Sequence, residues 1–149
     1  MRRWLELKQV LRTGWTRAGV DQPESVAAHS WGMAILAMQN CPPELNRLKV
    51  LEMCIIHDLP EVIVGDLTPH DDTSNKKQDE LDAMKILAPQ WLALFEEYEN
   101  QITPESRFVK YLDKLDMASM ARFYQETQNL DLSEFIESTR DVLTEKDYD

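Results

Sequence analysis

Ten consecutive residues, His57-Asp58-Leu59-Pro60-Glu61-Val62-Ile63-Val64-Gly65-Asp66, bring one imidazole and three carboxylates together directly after the apolar run Val50-Leu51-Glu52-Met53-Cys54-Ile55-Ile56. That run is apolar on nearly every face and reads as a central helix buried all round. An acid and an imidazole side by side at the end of such a helix cost on the order of several kcal/mol unless they are paired or bound to a metal. A divalent cation supplies that compensation, since imidazole nitrogen and carboxylate oxygen together suit a first-row divalent ion. On one helix His57 and Glu61 stack four residues apart, Asp58 stands one step round, and Asp66 follows just past the helix stop. His29 from an earlier helix and Asp113 from a later one can converge with His57 and Asp58 on one ion, leaving coordination positions for water. Water on such an ion loses its proton near neutral pH and becomes a nucleophile for hydrolysis. Taken alone, His29 reads as a hydrogen-bonded core histidine, and Asp113 competes with Asp116, three residues on and on much the same face. The His57-Asp58 pair turns His29 into a candidate ligand.

The elements that must position these groups are helical. Glycine is scarce, no Asn-Gly or Asp-Gly hairpin signal occurs, and apolar residues recur at helical spacing, so the expected class is an all-α bundle of about six helices in one domain, 1–149. The first helix carries Trp4, Leu7 and Leu11 and ends near Thr13-Gly14; residues 15–23 read as a loop with Arg12, Trp15 and Arg17 near its start. Ser25 is the expected N-cap of a second helix whose apolar face holds Val26, His29, Met33, Leu36 and Ala37. A third helix is predicted from about 47 to 64, stopped by Gly65. Residues 68–75 read as a loop containing a solvated His70, and 76–87 resume a helix that Pro89 interrupts. The amphipathic stretch 91–98 follows. Thr103-Pro104 reads as an N-cap with proline at the first helical position, opening the helix that carries Phe108, Leu112, Asp113 and Leu115. A last helix from Ser133 holds Phe135, Ile136, Thr139 and Leu143, and the acidic tail 145–149 frays.

Charge narrows the partners. Sixteen basic residues against 27 acidic ones give a net charge of −11, which disfavours duplex nucleic acid and anionic membranes, so an anionic substrate must be small and locally compensated. Cys41 and Cys54 lack the short spacing of a zinc knuckle and fit reduced thiols, Cys54 as plain core. Neither a membrane span nor a signal-peptide apolar region is found, and the expected location is the cytoplasm.

With these residues in place, the sequence resembles the HD-domain metal-dependent phosphohydrolases, whose pattern is a His on one helix, a His-Asp pair on a later one and a distant Asp; here His29, His57, Asp58 and Asp113. The resemblance extends to the 5′-deoxynucleotidase branch through Arg12-Thr13-Gly14-Trp15, Pro23-Glu24-Ser25-Val26, His57-Asp58-x-x-Glu61, Gly65-Asp66-Leu67-Thr68-Pro69, Phe108-Val109-Lys110 and Leu112-Asp113-Lys114, and covers nearly the whole chain in order. It implies a phosphomonoesterase acting on deoxyribonucleoside 5′-monophosphates, with Glu61 and Asp66 beside the metal and Arg12 and Trp15 at the substrate. The chemistry agrees. Arg12 offers a planar fork for phosphate, Trp15 a flat apolar surface for base or sugar, and Lys110 or Lys114 local positive charge. Glu61 then handles proton transfer while Asp66 fixes the sugar or orients water. The metal is manganese, cobalt, iron, nickel or zinc, with a second, weakly bound magnesium allowed. Relatives are commonly dimers, and 91–98 is a candidate homodimer face.

Two departures stand out: Ala28 occupies the position where relatives usually carry an acid, and Gly32 the position where they carry an arginine. The paired loss reads as a dispensable ion pair on the helix surface. Competing functions are a dinuclear phosphodiesterase or diiron oxygenase, a deoxynucleoside triphosphate hydrolase, and a metal-stabilised module that senses a nucleotide without hydrolysing it. The dinuclear reading needs more histidines between Asp58 and Asp113 than His70 alone, the triphosphate reading needs more positive charge, and a sensor has no use for Glu61 and Asp66.

Overall fold

In a computed structural model, which describes residues 2–68, 71–144 and Asp147, helices joined by turns and loops make up the fold, and the one extended pairing among the described residues is an isolated bridge between Leu11 and Ser25. Among the described residues there are eight α-helices: α1 (Thr13–Arg17), α2 (Val26–Asn40), α3 (Arg47–Ile56), α4 (Glu61–Val64), α5 (Lys76–Leu87), α6 (Leu92–Glu99), α7 (Pro104–Gln128) and α8 (Ser133–Glu137). Two 3-10 turns, Arg3–Gln9 and Pro89–Trp91, join them. His70 and most of the acidic tail lie outside the described residues.

Local chemistry sets the boundaries. Ser25 caps α2 by accepting the Ala28 N–H at 3.0 Å, and Asn46 caps α3 by accepting that of Lys49 at 3.1 Å. α7 opens with Pro104 behind a capping box in which Thr103 accepts the Ser106 N–H and Ser106 accepts the Thr103 N–H. It closes on Asn129, whose φ of 54° ends the helix in the left-handed region. α7 is the spine, packing against α2, α3, α6 and α8, while α2 and α3 also pack on each other. Between them lie Met33, Met53, Val50, Cys54, Val109 and Leu112, all fully buried.

Several expectations change. The predicted first helix is a 3-10 segment ending at Gln9; only Leu7 of its stripe is buried, and Trp4 and Leu11 are exposed. Thr13-Gly14, expected to end the first helix, instead open α1, which takes in residues 15–17 of the expected loop, because Thr13 is tied to a distant acid and Trp15 to the core. The expected helix 47–64 is two helices. Pro60 has no N–H to give the Ile56 carbonyl, which instead accepts from Leu59 at 3.0 Å, so α3 stops and α4 restarts at Glu61. Nor is α3 buried all round: Ile55 is 57% exposed. Phe95 and Tyr98 are core residues rather than a free face, leaving Trp91 as the exposed aromatic of 91–98. α8 ends at Glu137, and the buried Thr139 and Leu143 are held by turns beyond it.

Candidate metal and nucleotide site

Breaking the helix at Pro60 turns His57 and Glu61 to different neighbours. His57, at the end of α3, donates Nδ1–H to the Cys54 carbonyl at 2.9 Å, three residues back, which leaves Nε2 to face inward. His29, 0% exposed on α2, comes to meet it, the two rings 5.7 Å apart edge to face. The Oδ1 of Asp113 on α7 lies 2.7 Å from His29 Nε2, and the Oδ2 of Asp58 lies 3.1 Å from His57 Nε2 and 3.9 Å from His29 Nε2. One donor atom from each of His29, His57 and Asp113 falls within 4.8 Å of the others, with Asp58 beside them.

These residues fit a divalent cation. His57 Nε2 is buried and makes no well-directed hydrogen bond among the described residues, although Asp58 Oδ2 stands 3.1 Å away, while its other nitrogen is committed to a carbonyl. That is the arrangement in which an imidazole presents a lone pair to a metal. Burial and Arg12 oppose charge on His29, yet hydrogen bonds to Asp113 and Asp116 hold its pKa up at about 10, so the ring as it stands carries both protons. Asp113 is held well below the usual carboxylate range; burial works against this, but His29, His57 and Arg12 outweigh it.

Asp116, the sequence rival of Asp113, bonds the opposite nitrogen, its Oδ2 accepting Nδ1–H of His29 at 2.6 Å. A second donor group of Glu24, His29 and Asp116 shares that imidazole, but its nitrogen there already donates to Asp116. Gly32 packs against Asp116 rather than lining the helix surface: a Cβ on Gly32 would lie 2.5 Å from Asp116 Oδ1. The dispensable surface pair expected at 28 and 32 is therefore not the setting of Gly32.

Glu61 is 5% exposed and its Oε2 has no hydrogen-bond partner among the described residues. Burial first, then Asp58 and Asp66, push its carboxyl up to about 12, so Glu61 holds a proton at neutral pH. Gly65, with φ of 85°, turns the chain so that Asp66 comes back beside Glu61, and Asp66 accepts the Thr13 N–H at 2.7 Å.

A cavity of about 590 Å³ opens over this cluster, and His57, Asp58, Glu61, Asp66 and Asp113 line it. So do Arg12, Arg17, Lys76, Lys110 and Lys114, which set cationic groups among the acids of the wall. Arg12 is mostly enclosed; burial opposes its charge, but Asp113, Asp58, Asp66 and Glu24 together raise its pKa. Lys110 stands 3.9 Å from Asp113, its side chain 47% exposed. Trp15 is placed differently from expectation. It lines the cavity but is only 1% exposed, its ring packed on Tyr124 and Phe135 and its indole N–H donated to Glu24 at 3.2 Å. It shapes the wall and offers no open stacking face.

Sequence reasoning missed Tyr98, whose ring lies 5.2 Å from that of His57, and the acids Glu80 and Glu99 on the same wall. No spacing links them to the histidines. The Cys54 carbonyl was findable, since a helical His at i reaches the carbonyl at i−3. No helix among the described residues is long and apolar enough to cross a membrane.

A family model described as the HD domain matches residues 5–148. A 5′-deoxynucleotidase HDDC2 from Mus musculus is 38% identical over 146 residues, covering 90% of this chain and 73% of the relative. The 5′-deoxynucleotidase hdd1 of Schizosaccharomyces pombe is 35% identical over 145 residues, covering 87% and 73%. Among solved structures, the PH0347 protein from Pyrococcus horikoshii OT3 superposes with a TM-score of 0.85 at 32% identity, covering 94% of this chain and 85% of that one.

Proposed function

The chain belongs to the HD-domain family, and on that premise we propose that it is a metal-dependent 5′-deoxynucleotidase, one HD domain that hydrolyses deoxyribonucleoside 5′-monophosphates to nucleoside and phosphate. The observation that carries this reading is the convergence of His29, His57 and Asp113, with Asp58, at the base of a cavity that also holds five cationic side chains.

His29, His57, Asp58 and Asp113 would hold the ion, which fits manganese, iron, cobalt, nickel or zinc by ligand type. When bound, such an ion supplies a Lewis acid for the phosphoryl oxygens and a water of lowered pKa. The protein's own groups do the rest. The Arg12 guanidinium, fixed among acids, presents its fork to phosphate, and Lys110 adds charge from the rim. Glu61 supplies the proton that the 5′-oxygen needs as the P–O bond breaks, because its buried carboxyl keeps one at neutral pH. Asp66, anchored by Thr13, orients the sugar or the attacking water. Trp15 acts from the wall by shaping the space beside the sugar. The free thiols Cys41 and Cys54 suit a reducing cytoplasm. A homodimer would need a face other than 91–98; exposed Trp31, Ile35 and Met38 on α2 offer one.

The test is phosphate release from deoxy- and ribonucleoside 5′-mono- and triphosphates, using metal-stripped protein refilled with manganese, cobalt or zinc. Release from deoxynucleoside monophosphates that disappears in His57→Ala supports the reading. Triphosphate release would move the chain to a neighbouring activity, and binding without release would make it a sensor.

A further inference from the structure

His29 is clasped between two acids of one helix. Asp113 and Asp116 stand three residues apart on α7 and address opposite nitrogens of the ring, Oδ1 of Asp113 at 2.7 Å from Nε2 and Oδ2 of Asp116 at 2.6 Å from Nδ1. Asp116 is 7% exposed and His29 fully buried, so neither side chain has solvent to turn into. Gly32 lies three residues after His29 on α2 and therefore on the same face. Any Cβ there would stand 2.5 Å from Asp116 Oδ1 and 3.3 Å from its Cγ, a contact real side chains do not make. Alanine or anything larger at 32 forces the Asp116 carboxylate to shift, and its other oxygen is the one that holds the imidazole.

An imidazole holds a cation through one nitrogen best when the other donates to a carboxylate, which fixes the tautomer, orients the ring and makes the ligating nitrogen more basic. We propose that Asp116 is the positioning residue of the cation site, holding His29 with Nε2 turned to the ion, and that Gly32 is the spacer that admits it. This rests on His29 being a ligand. Gly32 is then part of the site although it touches neither ion nor substrate, and an apparent loss of side chain on α2 is a gain of carboxylate contact behind it.

The experiment compares metal-stripped wild-type protein with Gly32→Ala, Asp116→Asn and the double variant, titrated with Co²⁺ by calorimetry. Imidazole ¹⁵N spectra of the zinc-loaded forms are recorded alongside. Each single substitution is expected to weaken Co²⁺ binding by about tenfold or more, in the range seen when the partner of a ligating histidine is removed. The double variant should bind no worse than the weaker single, because Gly32 acts through Asp116 alone. The wild-type spectrum should show His29 protonated at Nδ1 with a downfield proton that both variants lose. Single variants that bind Co²⁺ within twofold of wild type, or a double variant whose loss is the product of the singles, would overturn the proposal. Asp116→Asn keeps the side-chain shape, so it reads the outcome even if Gly32→Ala does not fold. Wild-type protein that binds no Co²⁺ would overturn the cation site itself, a result distinct from unaffected variants of a wild type that binds.

Discussion

Thr13 and Asp66 exchange two hydrogen bonds across 53 residues: the Thr13 N–H donates to Asp66 Oδ2 and the Thr13 hydroxyl to the Asp66 carbonyl, each at 2.7 Å. The start of α1 is thereby stapled to the loop after α4. Thr13→Val keeps the first bond and removes the second. It should lower stability by about 1 kcal/mol, the usual worth of one such bond, and reduce kcat/KM as Asp66 loosens beside Glu61. Denaturant unfolding and phosphate release measure the two effects.

Glu61 should separate turnover from metal content. With a proton-transfer role, Glu61→Ala cuts kcat by about 100-fold or more while bound metal per chain stays at the wild-type level. Metal analysis of the purified variant beside its kinetics decides the matter; parallel loss of both would make Glu61 a ligand.

Arg12→Lys retains charge but not the planar fork. With Glu24 3.8 Å from Arg12 Nε, the lysine still meets an acid, so the fold should persist. KM for a deoxynucleoside monophosphate is expected to rise about tenfold, the order of one lost charge-assisted hydrogen bond, with a smaller change in kcat. Initial rates over a substrate series read this directly.

The protons on His29 and Glu61 give metal binding a pH dependence. His29 titrates at about 10 here against about 6.5 when unfolded, so its contribution to stability is complete below 6.5 and is lost as pH rises through 10. Glu61, also raised, acts in the same sense over its own window from about 4.5 to 12. Metal-stripped protein should therefore lose Tm between about pH 7 and 10, and zinc-loaded protein should lose less, because a bound ion replaces the His29 proton. Calorimetry of zinc binding in buffers of different ionisation enthalpy should show net proton release, and affinity that rises with pH.

The parts of this molecule that announce themselves in sequence are those held by local rules. Ser25 caps α2, Thr103-Pro104 opens α7 and Gly65 closes α4, because each depends on groups within a few residues. His29 on an inward face, and its approach to Asp113, followed from helical spacing plus a motif. Failures fell where a distant contact overrode a local pattern. Pro60 split a helix that apolar periodicity ran together, and Trp15, plausible as an exposed platform, is claimed by Tyr124 and Phe135 from more than a hundred residues downstream. Asp113 and Asp116 looked interchangeable on a helical wheel; which ring nitrogen each one meets is a property of how α2 lies on α7.

The meeting of His29 with Asp113 spans 84 residues, and α7 itself runs to Gln128. During synthesis, a nascent chain that has made α2, α3 and α4 owns both histidines but lacks the third wall. Closing so long a loop carries an entropic cost that only the docked spine repays. An ion held by His29, His57, Asp58 and Asp113 would therefore be gripped late in maturation, once the long helix α7 has docked. A cell short of the metal would accumulate chains that are complete in covalent structure yet more open to proteolysis, coupling abundance of the protein to metal supply through survival of the chain rather than through its synthesis.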